Sequence, residues 1–429
     1  MKNRILTPKY VISVLLLIYM SLAYPATLHS ASNPAVKLSV EDKFNRAMKL
    51  RSDGKLEESI KAFQGILSNN PTLQRARLEL AVAYFFSLKY IKALKQARQV
   101  LADTNTPSNV KATIREFIAK IRSKRPRHKY IPFLSLGFIS DSNVTAGPDQ
   151  NILAGFPLIA ASQKQSDFAS VLRLGVSHRF NSDINLNLGK KSAALLWLSK
   201  AGYYRANYQD VSASDLSILS LSSGPALVSE GNWRSGLNFK LESIDLGTDK
   251  YATFTAINHS VTRTSKDSRQ EVTLELLVQD RDYKRAVDLG RDSEYIAVGL
   301  SYGRILTNDK ASYQAGFRLF DEKSDSEFNS NDGVEVFIGL SWRFSRFNSS
   351  YARMSYKTLS YGGIGPGFTV IRDENVARLL LGYDHRIRKS WLKGWTISSQ
   401  VTISQSTSNE AVFEYDRTQV GVTFKRNFD

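Results

Sequence analysis

The chain has no cysteine among its 429 residues, which excludes a disulfide framework, a thiolate metal site and lipid attachment to a cysteine of its own. Apolar runs long enough to span a bilayer as a helix, about 20 residues, are also missing. The one extended run, Val11 to Ala23, is 13 residues and stops at Tyr24-Pro25. Histidine is scarce at five, and His128, His178, His259 and His385 form no base–nucleophile constellation along the chain, with Asn258-His259-Ser260 the nearest approach; no enzyme activity and no cofactor or metal site is expected. Acidic residues are sparse only at the N-terminal end. Residues 1 to 130 hold 24 Lys and Arg against 8 Asp and Glu, while the rest is nearly neutral, the mark of two regions with different surroundings.

What is present begins with Lys2, Arg4 and Lys9 ahead of that apolar core, the pattern of a secretory signal peptide, assigned to residues 1–31. From Val40 to about Lys124, within a region assigned to residues 32–125, the apolar positions recur at three- and four-residue spacing, as in Leu78, Val82, Phe85 and Phe86, and again in Ile91, Leu94, Ala97 and Leu101. Ser59, Phe63, Ile66 and Pro71 are answered 34 residues later by Ala93, Ala97 and Val100, with Pro107 two positions late, which reads as a short tetratricopeptide-like domain. Gly54-Lys55-Leu56-Glu57-Glu58 suits the turn between paired helices, and Ser108 to Ile121 suits a closing helix. Arg51, Arg75 and Phe86 fall on the concave face, where such repeats usually bind their partners, with an all-structural role as the competing reading. Arg122 to Lys129 (RSKRPRHK) is a basic run, and residues 126–130 are assigned as a linker. In an exported chain its counterpart is anionic lipid or an acidic partner, not nucleic acid.

Beyond Tyr130 the period changes to two. Val334, Val336, Ile338, Leu340 and Trp342 alternate with Glu335, Gly339, Ser341 and Arg343, and Val420, Val422 and Phe424 alternate with Arg417, Gln419 and Thr423. Fourteen such segments fit into residues 131–429, beginning near Pro132, Phe168, Ser192, Asp215, Trp233, Thr253, Gln270, Glu294, Ala311, Gly333, Asn348, Val376, Gly394 and Glu414. The expected fold is therefore a short helical domain in the periplasm followed by a 14-stranded antiparallel β-barrel in a bacterial outer membrane. Short connections after even strands and long ones after odd strands set the orientation: Asp141–Asp167, Gln279–Asp292, Phe320–Asp332 and Leu359–Asn375 should lie outside. Arg343, Arg378 and Arg417 should face the lumen.

At the junction the chain reads Gly137-Phe138-Ile139-Ser140-Asp141-Ser142-Asn143-Val144, and near its end Tyr415-Asp416-Arg417-Thr418-Gln419-Val420-Gly421-Val422. These two segments, in this order of domains, resemble the opening and closing strands of the surface lipoprotein assembly modifier family, with Asp141 and Asn143 matching its strand-one motif. The resemblance implies an outer-membrane translocator that delivers client proteins, lipidated or soluble, from periplasm to cell surface, with outer-membrane lipid and the barrel-insertion machinery as its other partners. Two other functions compete: a general or small-solute porin, and a polysaccharide export porin. For Asp141 and Asn143 the plainer role is that of Asx side chains satisfying backbone groups where a strand leaves the membrane.

Overall fold

A computed structural model describes residues 39–123, 127–153, 156–188, 191–229, 231–288, 290–306, 309–389 and 391–428. The expected signal peptide lies outside the described residues. Five helices come first: α1 (Val40–Ser52), α2 (Leu56–Asn69), α3 (Gln74–Phe86), α4 (Tyr90–Ala102) and α5 (Ser108–Ser123). The first starts on a reciprocal cap, in which Asp42 N donates to Ser39 Oγ (3.1 Å) and Ser39 N to an Asp42 carboxylate oxygen (3.2 Å), satisfying two backbone donors that helix geometry leaves without partners. Both helices of the second pair begin 34 residues after their counterparts in the first.

The turns inside the two pairs are built alike. Lys55 N donates to Leu50 O (2.8 Å) and Lys89 N to Tyr84 O (2.9 Å), each closing a helix through a residue of positive φ. In the first pair that residue is Gly54 (φ 74°), and in the second it is Leu88 (φ 61°), which takes the left-handed region despite its Cβ. One core runs through the helices, in which Ser59, Ala93 and Ala97 let helix backbones approach and Phe63 meets Phe44 edge-on at 5.6 Å.

The barrel consists of β1 (His128–Asp141), β2 (Asp167–Leu188), β3 (Lys191–Tyr208), β4 (Leu216–Ser229), β5 (Trp233–Leu246), β6 (Asp249–Thr264), β7 (Gln270–Tyr283), β8 (Ser293–Ile305), β9 (Ala311–Ser324), β10 (Asn331–Arg343), β11 (Asn348–Ile364), β12 (Ile371–Arg386), β13 (Thr396–Ser408) and β14 (Tyr415–Asn427). Each strand pairs antiparallel with its sequence neighbours, and β14 returns to β1, so the sheet is closed. Closure leaves no edge strand and satisfies the ladder between strands, as a membrane-spanning sheet requires. Phe138, Leu221, Phe239, Ile338, Leu340 and Val422 stand exposed on the outer wall, where lipid is their solvent. The protein is thus an outer-membrane β-barrel with its helical region in the periplasm. Helix α2 touches β3.

Two expectations are corrected. Strand β1 begins at His128, inside the stretch assigned as linker: His128 stacks on His178 at 5.3 Å and Tyr130 on His178 at 4.5 Å, so strand pairing already holds these residues. Of the external connections expected to be long, only the one after β1 is. Strands β7, β9 and β11 continue to Tyr283, Ser324 and Ile364, past the point where apolar alternation fades. Backbone pairing needs no lipid, so the ladders run on into water with polar residues on both faces.

Candidate functional site

The strand-one motif is a buried polar junction at the outer end of β1. Asp141 is 1% and Asn143 0% exposed. The Asp141 carboxylate accepts from Arg417 Nε (3.0 and 3.1 Å) and Nη2 (2.5 Å), from Gln419 Nε2 (2.7 Å), from Tyr208 Oη (3.2 Å) and from Asn143 N (3.1 Å). Asn143 Nδ2 donates to Gly147 O (2.8 Å) and to Asp416 O (3.1 Å) on β14, while its Oδ1 accepts from Gly147 N (3.0 Å). A carboxylate this buried is tolerable only with a charge-assisted partner and filled lone pairs. The two residues therefore tie β1, β3, β14 and the root of the first external loop together. The Asx role holds for Asn143, and Asp141 adds an ion pair that a local reading of the motif does not contain.

Register puts Arg417, Arg378 and Arg343 on the lumen side of their strands. Arg417 is the partner of Asp141, Arg378 Nε donates to Ser404 Oγ (3.3 Å), and Arg343 sits exposed at the periplasmic end of β10. Three further inward cations meet carboxylates: Arg234 with Glu271 at 2.9 Å, Lys240 with Glu242 at 2.8 Å, and Arg318 with Glu275 at 3.5 Å and Glu335 at 3.8 Å. Arg234, Lys240 and Arg318 thus each have a counter-charge alongside, as Arg417 has in Asp141. A cavity of about 680 Å³ opens in the lumen, walled by Arg173, Tyr204, Tyr351, Gln419, Thr423 and Lys425 among others.

Sequence reasoning missed the stacks on the opposite wall. Arg281 lies over Tyr295 (4.2 Å) and Phe254 (5.6 Å), Lys357 over Phe320 (4.5 Å), and Arg372 over Tyr361 (3.6 Å) and Phe413 (3.9 Å). Phe320 is only 1% exposed although it points inward. Parity could have found it, since Phe320 shares its face with Arg318 and Glu322.

In the helical region the three client-contact candidates separate. Arg51 is ion-paired with Glu79 of α3, so it serves the packing of α1 on α3. Arg75 lies over the Phe44 ring at 4.9 Å. Phe86 is 56% exposed, its ring edge-on to Phe85 at 5.6 Å. Arg75 and Phe86 are thus presented at the surface of one helix, while the nearest cation to them in sequence reasoning, Arg51, is occupied.

Among the described residues no group of three or more His, Asp or Glu is placed to hold a metal ion. Asn258, His259 and Ser260 are split by strand alternation: Asn258 turns to Glu275 inside the barrel, while His259 meets Ser235 at 2.9 Å on the lipid side. His128 Nδ1 lies 3.0 Å from His178 Nε2, a pairing across 50 residues that spacing alone does not reveal.

The external connection between β7 and β8 carries a clasp. Asp288 is buried and receives Arg285 Nε (2.7 Å) and Arg291 Nη1 (2.9 Å), and the two guanidinium groups lie over Tyr251 and Tyr283. Burial alone would raise the Asp288 carboxyl, but the two arginines outweigh it and hold the group below its ordinary value. A depressed acid stabilises the folded loop above the unfolded-state pKa, and that stability is lost as pH falls through the folded one. Pepsin cleavage within residues 284–292 should accordingly rise only below the ordinary carboxylate range. Asp288→Asn should make trypsin cut at Arg285 and Arg291 severalfold faster at neutral pH, and equal rates would mean the clasp does not hold the loop.

No family model matches the chain. The surface lipoprotein assembly modifier of Pasteurella multocida (strain Pm70) is 26% identical over 152 residues, a match that covers 33% of this chain and 29% of that protein. The chain thus spans less than a third of the length of this relative. Among solved structures, a loop-deletion mutant of OmpT, an outer membrane protein of Vibrio cholerae, is similar over 70% of this chain and 100% of its own, at 8% identity and a TM-score of 0.40. An anion-selective porin from Comamonas acidovorans is similar over 70% and 99%, at 10% identity and a TM-score of 0.39. Likeness of this degree says nothing about what passes through the barrel.

Proposed function

We propose that this protein is an outer-membrane translocator: its periplasmic helices receive a protein client and the barrel gives it passage to the cell surface. The observation that carries the reading is the pairing of two parts. A helical unit with 34-residue recurrence presents Arg75 and Phe86, and it adjoins the barrel at β3. Exposed aromatic and guanidinium groups together are what protein-binding surfaces concentrate. The local similarity to a surface lipoprotein assembly modifier supports a lipidated or otherwise secreted client. A second reading, a pore for small solutes, is favoured by the polar cavity in the lumen, but it leaves the helical unit without a task.

The test separates the two. Arg75→Glu combined with Phe86→Ala should reduce client display on whole cells severalfold, read by antibody, while the barrel still shifts mobility on heating. Arg51 is left intact, because reversing it would set a second carboxylate beside that of Glu79 and disturb the helices themselves. Undiminished display at a normal barrel level would reject client capture by this face.

A further inference from the structure

We infer that the outer wall of the barrel carries a site for an anionic phospholipid of the periplasmic leaflet, with the phosphate at the periplasmic rim and an acyl chain in a groove above it. The groove, about 640 Å³, lies across β2 to β6. Its floor is made of the small side chains Ser199, Ala201 and Ser223, with His178 of β2 on one side and Phe239 and Leu241 of β5 on the other. Register places them on one face: His178 pairs with Ser199, Ser199 with Ser223, and Ser223 with Phe239. That face meets lipid, because Leu221, Phe239 and Leu241 stand exposed on it.

The floor is prepared for hydrocarbon. Ser199 Oγ and Ser223 Oγ lie 2.8 Å apart, and Trp197 Nε1 donates to Ser223 Oγ at 2.8 Å. These hydroxyls are partnered within the protein, so a chain can lie on them without stranding a polar group away from water. A low floor between large side chains also gives the chain contact from below and from both flanks, where a level wall would give it only one surface.

The lower end selects the head group. His178, on the edge of the groove, meets His128 there, Nε2 to Nδ1, at 3.0 Å. In such a contact one ring accepts through a bare nitrogen, and that ring, when neutral, carries its proton on the other nitrogen. An N–H is therefore left for an outside oxygen whichever way the bond runs. Arg127 stands beside the pair, its guanidinium over the Phe180 ring at 5.9 Å and its carbonyl accepting from Asn181 N at 2.9 Å. Tyr130 pairs with His178, and Trp197 with Phe180. Tyrosine and tryptophan prefer the membrane interface, so the cluster sits at the depth of lipid phosphates. A guanidinium and an imidazole N–H at that depth suit a head group of net negative charge, whereas ethanolamine would bring its own ammonium against them.

Native mass spectrometry of the full chain, in detergent micelles holding equal amounts of phosphatidylglycerol and phosphatidylethanolamine, reads the site. The parent should keep a phosphatidylglycerol at a collision energy that strips phosphatidylethanolamine. Arg127→Glu with His178→Gln should lower that retention severalfold. Ala201→Trp should lower it as well, since it fills the groove and leaves the charges in place. Arg127→Glu alone replaces the double variant if the latter loses its heat-modifiable fold. Equal stripping of the two lipids from the parent would overturn the inference, and so would parental retention in either variant. Glycerol phosphate held as firmly as the lipid would overturn it too, because the groove would then take no chain. None of these outcomes bears on client passage, because the assay contains no client.

Discussion

Replacing Asp141 with alanine should destabilise the folded barrel by about 3–5 kcal/mol, the loss found when one partner of a buried ion pair is removed. The variant leaves the Arg417 guanidinium in place with no carboxylate to receive it, and it also strips Gln419 and Tyr208 of an acceptor. Desolvated donors left alone account for most of that loss. The readout is the temperature at which the compact band disappears on a gel, which should fall clearly for Asp141→Ala. Removing both charges, as Asp141→Leu with Arg417→Met, should restore most of the loss, because no uncompensated charge then remains. A single variant as heat-resistant as the parent would mean that the junction does not hold β1 to β14. Equal losses in the single and double variants would mean that shape, not charge, is what matters there.

The second large effect is expected in the helical region. Phe63 is fully buried, with its ring edge-on to Phe44, and Phe63→Ala should cost about 3–5 kcal/mol as the cavity opens beneath α1 and α2. Residues 39–123 expressed alone should be soluble and helical by circular dichroism, since the core of this region draws only on its own helices. In that fragment Phe63→Ala should lower the urea midpoint by most of the available stability. A fragment spectrum dominated by strand, or an unchanged midpoint, would contradict this account of the core.

Much of the barrel was legible because lipid imposes a strict alternation. All fourteen strands begin within a few residues of where the period-two segments do, from Phe168 for β2 to Glu414 for β14. What alternation misses is what happens above the membrane. Asp280 and Asp282, or Asp321 and Lys323, are polar on the outward face, so the ladder continues where the pattern has ended. The helical pairs were legible for a related reason: a 34-residue recurrence repeats one packing problem, and small residues such as Ser59 and Ala93 mark where backbones meet.

The candidate sites were legible as residues but not as partners. Asp141 stood out in its motif, yet its ion pair with Arg417 joins residues 276 apart, and only barrel closure brings them together. Arg51 seemed a free cation of the client face until the turn of α1 against α3 set it on Glu79. Parity names a face for Arg417 but carries no information on the Asp141 carboxylate beside it.

The most direct measurement of the central claim follows client display and solute uptake in the same cells, comparing the parent with the Arg75→Glu, Phe86→Ala variant at matched levels of heat-modifiable barrel. A translocator with a periplasmic receiving face should lose surface client severalfold while uptake of a small sugar stays as it was. Full client display beside an unchanged barrel would contradict it.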